Sequence, residues 1–555
     1  MTYRVLPKQP ASMLTRDGVR LDADVYRPAA EGEFPVLLMR QPYGRAIAST
    51  VVYAHPIWYA SQGYLVVIQD VRGRGTSAGE FQLFEHEIED GYDAVEWAAQ
   101  LPGSSGEVGM YGFSYQGMTQ LYAAIAQPPA LKAICPAMIG YDLYHDWAYE
   151  NGAFCLQANL GWAIQIAAET ARIQGDEAAH RQLAIAAKNL PLSDAVPPRS
   201  SLLTKLAPDS FYHDWLAHSE PDDYWAKLSP NTYLDQLNLP MLHIGGWFDT
   251  FLRGTINLYK AMADRSPHPQ HLLVGPWAHL PWGRKVGALD FGPAANSPCD
   301  RLQIRWFDHF LKGKNTDLFG QPPIQLFLMG INEWRYFDTW NATPSTPFSL
   351  TSTGLAAMDE QDGQLLPPAS SPPSPASPSS PPPFDILVHD PWRPVPAFGG
   401  HASFPTGPQE RSALDCRSDI LTYTSAPLAE PLYLVGEISL SLICRADVPS
   451  FDLCAVLAEV RPNGTIYNFA QGYIHVNPGQ STEPLTFALQ PTAMCIQAGY
   501  ALRLSLSAAC FPAYPVNPGT GQAIQEAQLI DQQIITVLIE VGEASLSQLL
   551  LPDNS

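Results

Sequence analysis

The segment Val108-Gly109-Met110-Tyr111-Gly112-Phe113-Ser114-Tyr115-Gln116-Gly117-Met118-Thr119-Gln120 sets one serine between two glycines. Val108, Met110 and Tyr111 suit a buried strand. Leu121 to Ala126 continue as an apolar helix, and Pro128-Pro129 stop it. A chain that turns from strand to helix around one serine strains that residue's backbone and needs small neighbours. It also lifts Oγ clear of the sheet edge. The turn therefore constrains fold and chemistry together.

The chain before it repeats strand and helix. Phe34 to Arg40 and Gly63 to Asp70 are continuous apolar runs, as strands buried on both faces require. Val19 to Pro28 alternates apolar and polar, which predicts an edge strand. Glu85 to Gln100 has helical spacing at Ile88, Tyr92, Val95 and Trp97. This alternation predicts an α/β fold with a parallel, doubly wound sheet. Gln41-Pro42-Tyr43-Gly44 ends the first run at the sheet's carboxyl edge, where open α/β sheets place ligands. Tyr43 is a candidate there, since a neutral phenol donates a hydrogen bond. The glycine-rich stretch Val71 to Phe81 resembles a phosphate loop but lacks its Gly-Lys-Ser/Thr ending. Asp70 and Arg72 are expected to bond that loop internally.

Two further strand-and-glycine-turn units follow. Leu239 to Phe248 leads into Asp249, and Gln270 to Ala278 leads into His279. The order Ser114, Asp249, His279 is the order of α/β-hydrolases and arises by chance about one time in six. His243 lies inside its strand and reads as a satisfied core histidine. No spacing of histidines or carboxylates suggests a metal.

Residues 144–235 break the pattern with helical stretches, Leu156 to Ile173 and Asp176 to Lys188, and many aromatics. They predict a helical cap inserted into a catalytic domain of residues 1–143 and 236–345. Most cap aromatics should be core. Trp147, Phe154 and Trp162, with Phe248 and Phe251 beyond the cap, are the expected pocket lining. Cys299 to Lys312 predicts a helix, and Ile324 to Met329 begins β structure. Residues 346–555 predict an antiparallel β-sandwich or jelly roll, with strands such as Leu432 to Ala446, Leu453 to Val460, Thr465 to Phe469 and Ala501 to Ala508. The jelly roll is expected to brace the catalytic domain. Residues 367–383 hold only Pro, Ser and Ala, and predict an exposed insertion.

Charge and cysteine content narrow the partners. The 555 residues carry a net charge of −22, which disfavours nucleic acid. No apolar run reaches the length of a membrane span, and Met1 to Ala11 lack a secretory pattern. Eight scattered cysteines without a C-x-x-C pair predict buried thiols in a reducing, cytoplasmic setting. The expected partner is a small-molecule ester or amide, and a homodimer is left open.

The chain resembles the cocaine esterase and X-Pro dipeptidyl-peptidase family of serine hydrolases. Its early motifs are Met39-Arg40-Gln41-Pro42-Tyr43, Gln69-Asp70-Val71-Arg72-Gly73 with Gly79-Glu80-Phe81, and Gly112-Phe113-Ser114-Tyr115-Gln116-Gly117. Gly246-Trp247-Phe248-Asp249-Thr250-Phe251 and Gly275-Pro276-Trp277-Ala278-His279 follow. Asp390-Pro391-Trp392-Arg393-Pro394-Val395-Pro396, Asp419 to Ser425 and Pro449-Ser450-Phe451-Asp452 complete the set. The resemblance implies an α/β-hydrolase domain, an inserted cap and a carboxyl-terminal jelly roll. It implies Ser114 as nucleophile, His279 as base, Asp249 as third member, and an oxyanion hole from the Tyr43 hydroxyl and the Tyr115 N–H. It implies ester or acyl-amide hydrolysis without a cofactor. An X-Pro dipeptidyl-peptidase or α-amino acid ester hydrolase shares these residues, but a peptidase would need an acidic anchor such as Glu150, Asp142 or Asp146. The non-enzyme alternative is a binding protein on an inactive scaffold. The Pro/Ser segment departs from the family pattern, and the cap gives no match from which specificity could be carried over.

Overall fold

The structure is a computed structural model and describes residues 2–46, 50–194, 196–340, 344–368, 383–477 and 484–552. Most of the proline-rich stretch, residues 369–382, lies outside the described residues.

The first half of the chain builds strands β1 (Gln9–Leu14), β2 (Arg20–Tyr26), β3 (Phe34–Gln41), β4 (Leu65–Asp70), β5 (Ser104–Phe113) and β6 (Leu131–Ala137). Helices α1 (Pro56–Ser61), α2 (Glu87–Ala99) and α3 (Tyr115–Ile125) lie between them. The continuous apolar runs fill two separate cores, because successive strand side chains point to opposite faces. Val36 and Leu38 of β3, Leu65 and Val67 of β4, and Val108 and Met110 of β5 join the core under α2 and α3. Leu37, Met39, Val66, Ile68 and Tyr111 join the opposite core.

Between β6 and the next sheet strand comes the helical segment. It contains the hairpin β7 (Tyr149–Glu150) and β8 (Ala153–Phe154), then α4 (Leu156–Gln174), α5 (Glu177–Ala186), α6 (Ser201–Leu206), α7 (Phe211–Ala217) and α8 (Asp223–Leu228). Its aromatics pack on one another: Phe211 and Trp215 ring centroids are 4.9 Å apart, and Trp215 and Trp225 5.5 Å. The chain then returns as β9 (Met241–Phe248), α9 (Leu252–Arg265), β10 (Gln270–Ala278), the small hairpin β11 (Lys285–Val286) and β12 (Leu289–Asp290), α10 (Cys299–Lys312), β13 (Ile324–Leu328) and β14 (Glu333–Phe337). β9 pairs directly with β6, so the helical segment is an excursion from a single crossover.

The ten-stranded sheet runs β1-β2-β4-β3-β5-β6-β9-β10-β13-β14. It is parallel from β4 to β13 and antiparallel at both ends. This is an α/β-hydrolase fold. Val19 to Pro28 is not an edge: β2 pairs with both β1 and β4, and β1 is the outer strand. Cover by β1 accounts for the run of buried residues at the end of β2.

The carboxyl-terminal part is a β-rich domain with a nine-stranded and a three-stranded sheet. The predicted strand Leu432 to Ala446 is two: Leu432–Leu442 lies in the large sheet and Cys444–Ala446 in the small one. The chain changes sheet at Ile443, whose N–H is held by the Ser547 hydroxyl at 3.0 Å. Seven of the eight cysteines are buried free thiols, and Cys416 is exposed. Among the described residues no helix is long and apolar enough to cross a membrane.

Candidate active site

The carboxyl ends of β3, β5, β9 and β10 lie along one edge of the sheet, and each is followed by a predicted site residue. Tyr43 comes two positions after β3, Ser114 directly after β5, Asp249 directly after β9 and His279 directly after β10.

Ser114 has φ 59° and ψ −128°, a left-handed conformation that a side chain rarely adopts. Its N–H bonds to the Ala137 carbonyl at 2.9 Å, which ties the turn to the end of β6. A Cβ on Gly117 would stand 2.3 Å from Ile139 Cγ2 and 2.8 Å from the Ala137 carbonyl oxygen. The first turn of α3 can pack against β6 only because that residue is glycine. Tyr115 is the first helical residue, so its N–H has no acceptor within the helix.

His279 Nδ1 donates to Asp249 Oδ1 at 2.8 Å. Asp249 is fully buried, while the His279 side chain is 27% exposed. The geometry fits a carboxylate that fixes one imidazole tautomer and leaves Nε2 toward the site. The Asp249 loop is held from the far domain. Gln490 Nε2 donates to the Asp249 carbonyl at 2.6 Å, and Thr250 Oγ1 donates to the His401 carbonyl at 2.8 Å.

Tyr43, Ser114 and the cap meet at one phenol. Trp162 Nε1 donates to the Tyr43 oxygen at 3.1 Å, and the Ser114 hydroxyl also reaches it. Burial, partly offset by these two partners, pushes the Tyr43 phenol up to about 12. It is neutral at pH 7, and its own O–H remains available to a new acceptor.

A ring of aromatics surrounds these groups. His279 lies 5.4 Å from the Phe113 ring and 5.1 Å from Phe251. Phe251 lies 4.1 Å from Trp147, which lies 5.3 Å from Trp162. Trp147, Trp162 and Phe251 are thus brought together with Tyr43 and His279. Phe154 and Phe248 are not. Phe154 packs on Tyr149 and Tyr212 inside the cap, at 5.2 and 5.6 Å. Phe248 stacks on Phe291 at 6.5 Å and faces the carboxyl-terminal core. As the last residue of β9, its side chain is fixed by strand alternation and not by nearness in sequence to Asp249.

Asp70 and Arg72 do not pair with each other. Asp70 does bond the loop internally, its carbonyl taking the Ser77 hydroxyl at 2.8 Å and its carboxylate the Thr76 N–H at 3.4 Å. It also accepts from Gln41 Nε2 at 2.9 Å and the Arg45 N–H at 2.6 Å; Arg72 instead bonds Asp90 and Asp17 at 2.7 Å each. His243 is buried, with Nε2 2.9 Å from Gln270 Oε1, and burial pushes it down to about 4. Sequence reasoning missed a buried support behind the turn. Tyr115 OH donates to Glu87 Oε1 at 2.8 Å, and Arg40 Nη1 lies 2.6 Å from Glu87 Oε2. Arg40 and Glu87 are 47 positions apart, and local pattern carries no signal for such a pair.

Fold and family together define a serine hydrolase. Residues 17–281 match the model for the X-Pro dipeptidyl-peptidase (S15 family), and residues 319–545 match that for the X-Pro dipeptidyl-peptidase C-terminal non-catalytic domain. The chain is 32% identical to the cocaine esterase of Rhodococcus sp. (strain MB1 Bresler) over 97% of its length and 96% of that protein. It therefore belongs to the cocaine esterase and X-Pro dipeptidyl-peptidase family. Two similar solved structures share the fold. One is an aminopeptidase from a marine sediment Thaumarchaeota archaeon, with TM-score 0.80 and 22% identity over 99% of this chain and 96% of that one. The other is an α-amino acid ester hydrolase, with TM-score 0.78 and 21% identity over 99% and 97%.

Proposed function

We propose that this serine hydrolase cleaves carboxylic esters through an acyl-enzyme on Ser114. The observation that carries the reading is the strained backbone of Ser114 beside the Tyr43 phenol, with the imidazole of the His279–Asp249 pair 5.4 Å from the ring of Phe113, the residue before Ser114. Ser114 Oγ attacks the ester carbonyl while His279 Nε2 takes its proton. The Tyr43 hydroxyl and the Tyr115 N–H donate to the oxyanion. The carbon–oxygen bond to the alcohol breaks, and His279 returns the proton to the departing alkoxide. Water then gives a proton to His279 and its oxygen to the acyl carbon, the bond from that carbon to Ser114 Oγ breaks, and His279 returns the proton to Oγ, freeing the acid and the serine. Asp249 holds the imidazole tautomer and stabilises the imidazolium.

Trp147, Trp162 and Phe251 favour an apolar acyl group. A peptidase or amino-ester reading needs a carboxylate free to hold an ammonium, and the three candidates are otherwise engaged. Asp142 caps a turn at the Tyr144 and His145 N–H groups, 3.0 and 3.1 Å away. Asp146 accepts from the Asp142 N–H at 2.9 Å. Glu150 lies 2.9 Å from Arg253, 2.8 Å from His401 and 2.5 Å from Tyr514. The ester reading therefore stands ahead of X-Pro cleavage and α-amino acid ester hydrolysis.

The test is turnover of p-nitrophenyl esters of graded acyl length beside an X-Pro-p-nitroanilide, with wild type and Ser114→Ala. Ester turnover that disappears in the variant, with fluorophosphonate labelling confined to Ser114, is the expected result. Turnover of the anilide alone would put the peptidase first. Ester turnover that survives Ser114→Ala would remove the nucleophile.

A further inference from the structure

The glycine-rich loop after β4 buries a cation for which the scheme above has no use. Arg74 is only 1% exposed. Among the described residues no carboxylate lies within ion-pair distance of it, and its Nε has no hydrogen-bond partner. Nη1 donates to the Ile166 carbonyl at 3.3 Å, the one side-chain hydrogen bond it makes among the described residues. A buried guanidinium without a counter-ion is costly, and large unpaired charges inside proteins are rare outside functional sites. The loop is nevertheless built to hold it inward. Arg74 N–H bonds the Val71 carbonyl at 3.1 Å, and its own carbonyl takes the Ser77 N–H at 2.9 Å. Gly73 has φ 67°, and a Cβ there would stand 2.3 Å from the Phe81 nitrogen, so the loop closes tightly on Phe81. The Arg74 guanidinium then lies 3.8 Å from the centroid of the Phe81 ring.

The surroundings of Arg74 lead to the reacting groups by two routes. Phe81 is 6.0 Å from the Tyr115 ring, whose backbone N–H is the proposed second donor to the oxyanion. Ile166 lies one helical turn beyond Trp162, whose indole N–H holds the Tyr43 oxygen. Arg74 thus sits behind both arms of the proposed oxyanion hole. Burial pushes the guanidinium down to about 10, so it remains charged at neutral pH. Its field also acts to lower the Tyr43 phenol, against the larger effect of burial. The nearest acid on the same helix, Glu169, is already paired with Arg172 at 2.7 Å.

We infer that Arg74 is a positioning residue, a fixed cation whose field favours the oxyanion at Tyr43 and Tyr115 without touching substrate. A side chain this enclosed and stacked on Phe81 offers no surface to a ligand, so its effect must reach the site through space. The low-dielectric interior lets it do so, because charge–charge terms weaken slowly there compared with water. The inference rests on the assignment of Ser114 as nucleophile and of Tyr43 and Tyr115 as the oxyanion donors.

The experiment uses the full chain with Arg74→Met, Arg74→Lys and Ser114→Ala. The readouts are kcat and KM on a neutral p-nitrophenyl ester and inhibition by phenylboronic acid, which forms a tetrahedral anion on an active serine. R74M is expected to lose about tenfold in kcat with KM within about twofold, and phenylboronate affinity should fall by a similar factor. R74K, which restores the charge, should stay within about threefold of wild type. Unchanged kcat and boronate affinity in R74M would overturn the inference. So would an R74K as weak as R74M, which would mark the position as packing alone. If R74M does not fold, Arg74→Gln carries the same comparison, since it keeps a donor for the Ile166 carbonyl. Activity surviving in S114A would instead fail the nucleophile assignment, and this inference would fall with it.

Discussion

Removing one oxygen tests the proposed oxyanion hole directly. In Tyr43→Phe the ring stays in its slot between Ser114 and the cap, and only the hydroxyl is lost. That hydroxyl takes the Trp162 N–H at 3.1 Å and has its own proton free for an incoming oxyanion. Loss of one such donor costs about 2.7–4 kcal/mol of barrier, so kcat should fall about 100- to 1000-fold. KM for a small ester should change little, because the donor serves the tetrahedral oxygen more than the ground-state carbonyl. The variant also leaves the Trp162 N–H without its acceptor. That group is half-buried, so the stability cost is about 1 kcal/mol, the low end for an orphaned donor. The assay is steady-state hydrolysis of a p-nitrophenyl ester, with thermal melting measured alongside. A loss of kcat far larger than the loss of stability is the expected signature. A kcat within about threefold of wild type would remove Tyr43 from the hole. A rise in KM alone would make it a ground-state contact.

Two further predictions concern the far side of the site. Gln490→Ala deletes the 2.6 Å hydrogen bond to the Asp249 carbonyl. It should lower kcat about tenfold by loosening the loop that carries the carboxylate, with melting shifted only slightly; unchanged kinetics would refute the coupling. Glu150→Gln should destabilise the fold by about 3–5 kcal/mol, because it strands the Arg253 charge in the interior. Burial alone would raise the Glu150 carboxyl, but the charges of Arg253 and His401 outweigh it and hold it well below the usual carboxylate range. Its folded value is depressed, so its contribution is present above the ordinary glutamate range and is lost as pH falls below it. Denaturant unfolding should show that acid-side loss in wild type and a flatter profile in E150Q. Identical profiles would refute the assignment.

The parts of the site legible in the sequence were those set by local rules. Ser114, Asp249 and His279 each follow a buried apolar run directly, so strand length and alternation place them at one edge before any tertiary contact is known. Tyr43 follows from the same rule. What stayed illegible depends on direction and distance. Phe248 and Phe251 are three positions apart, yet one faces the carboxyl-terminal core and the other the imidazole, because the first ends a strand and the second caps a helix. Asp70 does tie the loop to itself through Thr76 and Ser77, but the carboxylates that pair with Arg72 lie elsewhere in the chain, which charge spacing within the loop could not reveal. Strand β1 was missed because Gln9–Leu14 is mostly exposed on an outer edge and has no apolar run.

The contact between Gln490 and Asp249 spans 241 positions and changes how the carboxyl-terminal domain should be regarded. The family description calls that domain non-catalytic, and it supplies none of the proposed reacting atoms. It does fix the backbone that carries the proposed third member of the triad. Thr250 is tied to the His401 carbonyl, and the His401 ring lies 2.8 Å from Glu150 of the cap hairpin. Glu150 in turn lies 2.9 Å from Arg253, the second residue of α9 and four residues beyond Asp249. The next cap residue, Asn151, donates its side chain to the Tyr473 carbonyl at 2.8 Å and takes the His475 N–H at 3.1 Å. Cap, Asp249 loop and carboxyl-terminal sheet are therefore joined at one knot centred on the buried Glu150. An imidazole orientation that depends on Asp249 depends on that knot, since misplacement of a reacting group by about 1 Å can cost about 100-fold in rate. The carboxyl-terminal domain is a mechanical part of the proposed site, and damage at the knot should appear in kcat before it appears in ester binding.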